Sequence, residues 1–165
     1  MLPKTIADLP LPLRICAATD GSITYLLEAM FKGNVDVHTI AQKVIKADNE
    51  AASLLKIKRE EPINHREVTL AINDKIYVFA KSLSPINRMP PEMREQLMQA
   101  DIPIGKILRT NKLETRRDIL QIERTKKTPH FACESLTRKY VIIHNNKILM
   151  WINEIFPIDT RWQTD

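Results

Sequence analysis

Two charged residues sit on strand faces that are otherwise apolar, and their chemistry frames the reading of the chain. Residues 63–85 form a hairpin pattern whose two arms flank an Asn73-Asp74-Lys75 turn. Side chains alternate between faces of an extended strand, so Arg66, Val68, Leu70 and Ile72 point one way, with Glu67, Thr69 and Ala71 on the other. Along residues 147–157, Ile148, Met150, Ile152, Glu154 and Phe156 share a face whose one polar member is Glu154. A guanidinium does not shed its proton, so on a core-facing position it needs an anionic partner or a route to water. Two readings stand side by side. In one, Arg66 and Glu154 form an internal ion pair that fixes strand register and adds little net stability, because desolvation offsets the attraction. In the other, both line a closed polar pocket in an apolar shell, and Arg66 grips a ligand carboxylate with its planar fork.

Other residues offer less. His38, His65, His130 and His144 have neither HxH nor HExxH spacing, so no metal site is expected. There is no GxSxG elbow and no glycine-rich phosphate loop, and the chain has 3 glycines in all. Lys81, on the second arm of the first hairpin, can add positive charge to a pocket, although a strand lysine is ordinarily solvated. His65 points to the face opposite Arg66 and reads as solvated. His130 has no evident partner.

Composition sets the outer limits. A chain of 165 residues with 44% hydrophobic and 27% charged residues reads as one globular domain, residues 1–165. No run approaches the ~18 apolar residues of a membrane span, and the N-terminus lacks the apolar core of a signal peptide. Cys16 and Cys133 have no metal-ligand spacing and read as isolated thiols in a reducing, cytoplasmic setting. The net charge of +5 is spread among interleaved acids, with Arg124-Thr125-Lys126-Lys127 and Arg138-Lys139 the two basic clusters. No nucleic-acid motif accompanies them, so no nucleic-acid partner is expected.

The elements that must position Arg66 and Glu154 follow from periodicity. The arm Leu9-Pro10-Leu11-Pro12-Leu13 reads as extended and polyproline-like. Ser22 reads as the N-cap of a helix carrying Ile23, Leu26, Leu27, Met30 and Phe31, which Gly33 ends. An extended stretch over residues 34–46 precedes a short helical connection at 48–55. After the first hairpin, Pro90-Pro91-Glu92 and Pro103-Ile104-Gly105 open two short helices, an insertion able to lie over the sheet as a lid. Residues 116–125 read as a strand, 126–136 as a loop, and 138–157 as a second hairpin around Asn145-Asn146. The tail after Pro157 reads as peripheral. Two hairpins without regular strand–helix alternation predict an α+β fold with an antiparallel sheet.

Taken in order, Asp20-Gly21-Ser22-Ile23-Thr24 opening a helix, Arg66-Glu67 on a strand, Ala80-Lys81-Ser82-Leu83-Ser84-Pro85, Pro103-Ile104-Gly105 and Glu154 on the last strand resemble chorismate lyase. The similarity is to the divergent branch of archaea, actinobacteria and cyanobacteria, and it covers residues 10–158. The resemblance implies a single antiparallel sheet with helical flaps over an internal site. It also implies cofactor-free conversion of chorismate to 4-hydroxybenzoate and pyruvate, an aromatic-acid step of the kind ubiquinone biosynthesis uses. The family's carboxylate-binding arginine falls on Arg66 and its acidic site residue on Glu154; its apolar contacts fall on Ile23 and Ile104. A family arginine becomes Lys81, which keeps the charge and loses the fork. The expected ligands are small molecules, with no membrane partner and a monomeric or homodimeric state. Effector-sensing domains of some transcription regulators resemble the same fold, so a non-catalytic carboxylate-binding domain is the alternative.

Overall fold

The computed structural model describes residues 4–99 and 101–163. The order is α1 (Leu11–Ala18), α2 (Ile23–Phe31), β1 (Asp36–Lys46), α3 (Asn49–Leu55), β2 (Pro62–Ile72), β3 (Lys75–Pro85), α4 (Pro91–Met98), α5 (Ile104–Thr110), β4 (Arg116–Thr125), β5 (Ser135–His144) and β6 (Lys147–Pro157). The six strands form one antiparallel sheet in the order β1-β2-β3-β6-β5-β4. The α+β expectation holds.

Both hairpins close as their turn residues dictate. Asn73 and Asp74 take φ of 49° and 62°, and Asn145 and Asn146 take 48° and 58°. These left-handed values match the strand twist and suit Asn and Asp. Each edge strand carries an extra residue: the pairing of β1 shifts between Thr39 and Ala41, and that of β4 between Ile119 and Gln121. Ile40 and Leu120, the bulged residues, are 52% and 56% exposed.

Helices cover both faces unequally. On the inner face, α1 and α2 pack over one end of the sheet, where Leu13, Leu27, Val68, Val78, Leu136 and Phe156 form a buried cluster. At the other end, Met93 and Leu97 of α4 and Ile107 and Leu108 of α5 pack on Tyr140, Ile142 and Ile152. On the outer face, α3 packs Ala51 and Leu55 against Leu83, Val141 and Trp151. Its N-cap is Asp48, whose carboxylate accepts the Ala51 amide at 2.8 Å.

Four local expectations are corrected. The proline-studded arm turns helical at Leu11, since Pro12 sits in the first turn, where its missing N–H has no intrahelical acceptor. Helix α2 ends on Lys32 in the left-handed region (φ 51°) rather than on Gly33. Gly33 serves close approach instead: a Cβ there would lie 2.8 Å from Ile72 Cγ2. Ile148 does not share the Glu154 face, because the β5–β6 pairing shifts between Ile142 and Ile143 and turns it toward the α3 cluster. The tail is not peripheral. Trp162 is fully buried, donates from Nε1 to Pro157 O at 2.6 Å, and packs its ring against Tyr77 and Phe156.

Candidate functional site

Arg138 of β5 faces Glu154 of β6 directly across the ladder. Two of its guanidinium nitrogens, Nε at 3.0 Å and Nη2 at 2.7 Å, converge on Glu154 Oε2. Tyr140, two residues along the same face, donates its hydroxyl to Glu154 Oε1 at 2.9 Å. The remaining arm of Arg138, Nη1, donates to Cys16 O and Thr19 O, both at 2.7 Å, which ties β5 to the end of α1. Arg138 is fully buried and Glu154 is 5% exposed. Burial pulls the guanidinium pKa down, but the charge and hydrogen bond of Glu154 help outweigh it and hold Arg138 as a fixed cation. Burial first, and then the Glu154 charge, push the Tyr140 hydroxyl well above the usual phenol range, so it remains a donor. The same causes raise the Cys16 thiol to about 12, which leaves it without nucleophilic character near neutral pH.

Arg66 stands on β2, one strand beyond β3 and two residues out of step with Glu154. Sheet spacings put the two Cα atoms roughly 12 Å apart. Its side chain is 2% exposed, and Nη2 donates to Ile102 O in the α4–α5 connection at 3.1 Å. Burial lowers the Arg66 pKa, with the charge of Asp101 opposing the shift. The connection is also fastened to the edge strand. The Thr39 amide donates to Asp101 Oδ1 at 2.9 Å, and Gln42 Nε2 donates to Leu97 O at 2.8 Å.

Between these two walls lies a cavity of about 60 Å³, with Arg66, Glu154, Tyr140 and Arg117 among its polar lining. Ile23 at the start of α2 and Ile104 at the start of α5 form the apolar roof. The two helices meet over it. A Cβ on Gly105 would lie 2.6 Å from Ser22 Oγ, so only glycine lets α5 come this close. The Ser22 side chain makes no capping bond to the α2 backbone. Arg109 of α5 lies over the Tyr25 ring of α2 at 3.8 Å, a cation–π contact that joins the same two helices.

Arg66, Glu154, Ile23 and Ile104, all named from the sequence, therefore line one cavity. Lys81 does not. It pairs with Glu67 and Asn153, on the face of the sheet opposite Arg66 and Glu154, because one residue along a strand reverses the direction of the side chain. The internal-salt-bridge reading named the wrong partner, since the ion pair of Glu154 is with Arg138.

Arg138, Tyr140 and Arg117 were missed. The first two had a signal as clear as that of Arg66, because Leu136, Arg138, Tyr140 and Ile142 alternate on one face. The Arg138-Lys139 dipeptide invited a surface reading instead. Arg117 lies in the charged run Arg116-Arg117-Asp118, where alternation says nothing. The two basic clusters do not make an open patch either. Arg138 is interior, and Arg124 is held by Asp8 and Glu134, each at 2.8 Å.

A larger groove of about 630 Å³ opens on the outer face beside α3. Its Arg88 is bound to the carbonyls of Leu55, Lys56 and Ile148 and serves to fix α3 to the sheet. Among the described residues, no group of His, Cys, Asp or Glu could hold a metal ion, and no helix is long and apolar enough to cross a membrane.

A six-stranded antiparallel sheet with helices closing over one face is of the chorismate lyase-like class of fold. Residues 17–163 match the family model described as chorismate pyruvate-lyase Rv2949c-like, and the chain belongs to that family. It is 37% identical over 157 residues to "Putative lyase MJ0807" of Methanocaldococcus jannaschii, covering 88% of this chain and 77% of that protein. It is 29% identical over 123 residues to the chorismate pyruvate-lyase of Mycobacterium leprae, covering 72% of this chain and 57% of that one. Among solved structures, PhnF from Mycobacterium smegmatis superposes with a TM-score of 0.70 at 14% identity, over 85% of this chain and 65% of PhnF. A GntR-family transcriptional regulator from Bacillus cereus gives 0.61 at 11% identity, over 79% of this chain and 96% of that one. At these identities the structural likeness is one of fold alone.

Proposed function

We propose that this chain is a cytoplasmic, cofactor-free lyase that converts chorismate to 4-hydroxybenzoate and pyruvate. The observation that carries this reading is the cavity between Arg66 and the Glu154–Arg138–Tyr140 cluster, roofed by Ile23 and Ile104. Arg66 binds the ring carboxylate through its planar fork. Glu154, fixed by Arg138 and Tyr140, accepts a hydrogen bond from the ring hydroxyl at the far end. The separation of the two walls suits a ring with these groups at opposite positions.

The reaction asks little of acid–base equipment. The bond from a ring carbon to the enol-ether oxygen breaks, the neighbouring ring carbon that bears the hydroxyl loses its proton, and the departing enolpyruvate gains one at carbon to become pyruvate. Atoms balance without water, and aromatisation drives the step. The protein's task is to hold the carboxylates, fix the leaving group against the ring and keep water out. A cavity of about 60 Å³ is well below the roughly 300 Å³ or more of a typical ligand pocket, so substrate binding must part the roof. Lifting of the α4–α5 segment would have to break the hydrogen bonds that Thr39, Gln42 and Arg66 make to Asp101, Leu97 and Ile102.

The test is incubation of the purified protein with chorismate and identification of the products. 4-Hydroxybenzoate and pyruvate in equal amounts are expected, and absence of both from folded protein overturns the reading. Arg66→Ala is expected to weaken 4-hydroxybenzoate binding about 100-fold, in line with loss of a charge-assisted bidentate contact. The second reading, an effector-binding domain, is favoured by the likeness to PhnF and the GntR-family regulator. Calorimetry that detects carboxylate binding without turnover would select it.

A further inference from the structure

Arg117 lies on β4 and contributes to the same cavity from the side opposite Arg66. The two arginines stand on β2 and β4, with β3, β6 and β5 between them. Four strand spacings amount to roughly 19 Å between their backbones. Both side chains line the cavity that lies between them. Between them, the Glu154 carboxylate is already matched by Arg138.

Arg117 itself makes one hydrogen bond, from Nη1 to Asp20 O at 3.2 Å, just ahead of the first turn of α2. Its Nε is buried and has no partner among the described residues. A buried guanidinium N–H left unmatched costs free energy unless a ligand completes it. The charge of Arg117 is also felt at the Tyr140 hydroxyl, which places it beside the Glu154 wall.

We infer that Arg117 is the receptor for a second carboxylate, which makes the site selective for dicarboxylates over monocarboxylates. Resting on the lyase reading, this assigns the enol-ether carboxylate of the substrate to Arg117 and the ring carboxylate to Arg66. Departure of the leaving group would then empty the Arg117 end while the ring stays on Arg66. The role is one of binding and orientation: Arg117 fixes the leaving group against the ring and moves no proton.

Two ligands that differ by one carboxylate test this, 3-(carboxymethoxy)benzoate and 3-methoxybenzoate, titrated calorimetrically into the full chain and into Arg117→Gln. The wild-type chain is expected to prefer the dicarboxylate by at least tenfold. In the variant that preference should vanish, with 3-methoxybenzoate and 4-hydroxybenzoate affinities unchanged within twofold. A preference that survives in Arg117→Gln, or is missing from the wild type, overturns the proposal. So does an equal loss for all three ligands, which would make Arg117 a structural anchor for Asp20. If Arg117→Gln does not fold, Arg117→Lys replaces it, with an intermediate preference expected and an undiminished one overturning the assignment. Because binding is measured without turnover, the dicarboxylate preference can hold while the lyase reading fails, and the converse.

Discussion

The two walls of the cavity both bury arginine, yet they use it differently. On the β5–β6 wall the cation is matched to an anion: Arg138 gives two nitrogens to Glu154 and a third to the carbonyls of Cys16 and Thr19. On the opposite wall, Arg66 donates to the backbone carbonyl of Ile102, with the Asp101 carboxylate near enough to act on its charge. A carbonyl satisfies a donor without cancelling its charge. The first wall ties its ion pair to the end of α1, and the second ties its arginine to the α4–α5 connection. The difference teaches that a buried charge signals function less by its burial than by what balances it.

The largest expected effect tests the β5–β6 wall. Glu154→Ala strands the Arg138 cation in the core and is expected to cost about 3–5 kcal/mol in denaturant unfolding. The double replacement Arg138→Met with Glu154→Leu should recover most of that stability, because well-packed apolar side chains substitute for a buried ion pair. It should show no lyase activity. Equal instability in the single and double variants would contradict the view that charge balance holds this wall.

An intermediate effect tests the roof of the cavity. Gly105→Ala sets a Cβ 2.6 Å from Ser22 Oγ and 3.1 Å from Ser22 Cβ. The clash is expected to destabilise by about 1–3 kcal/mol and to weaken 4-hydroxybenzoate binding. Adding Ser22→Gly should relieve both, and a double-mutant cycle measures the coupling. Additive losses would place the helices' closest approach elsewhere.

The smallest effect comes from an exposed counterpart of the Arg138–Glu154 pair. Arg124 holds Asp8 and Glu134 on the surface, and hydrogen bonding to its guanidinium sets both carboxyls below their ordinary range. Carboxylates depressed in the folded state stabilise it fully above their unfolded pKa of about 4 and lose that contribution as pH falls through the folded values. Urea midpoints of Arg124→Gln and wild type should differ slightly at pH 6 and converge toward pH 2. A gap that widens on acidification would reverse the assignment.

The sheet and its lid could be read from the sequence because alternation and turn chemistry are local. Val68, Leu70 and Ile72 announce a buried face, and Asn73-Asp74 announces the turn. The same alternation exposed Arg66 and Glu154 as anomalies. It did not give their partners, since contact across a sheet depends on strand order and register. Only the pairing of β5 with β6 sets Arg138 beside Glu154. Lys81 shows the opposite failure, where a motif position suggested a role and the register turned the side chain away. Trp162 escaped notice because a lone aromatic near a terminus has no periodicity to declare it buried.

The two bulges at the sheet's margins carry a further consequence. A six-stranded antiparallel sheet ends in two rows of open backbone groups, a template on which strands of other molecules can polymerise. Here β1 and β4 each interrupt their ladder with one extra residue, Ile40 and Leu120, whose side chains point into solvent. The interruption bends and twists the outermost backbone, which disfavours continuous pairing with an incoming strand. Protection against fibrous assembly is thus written into the two margins, far from the cavity and independent of what it binds.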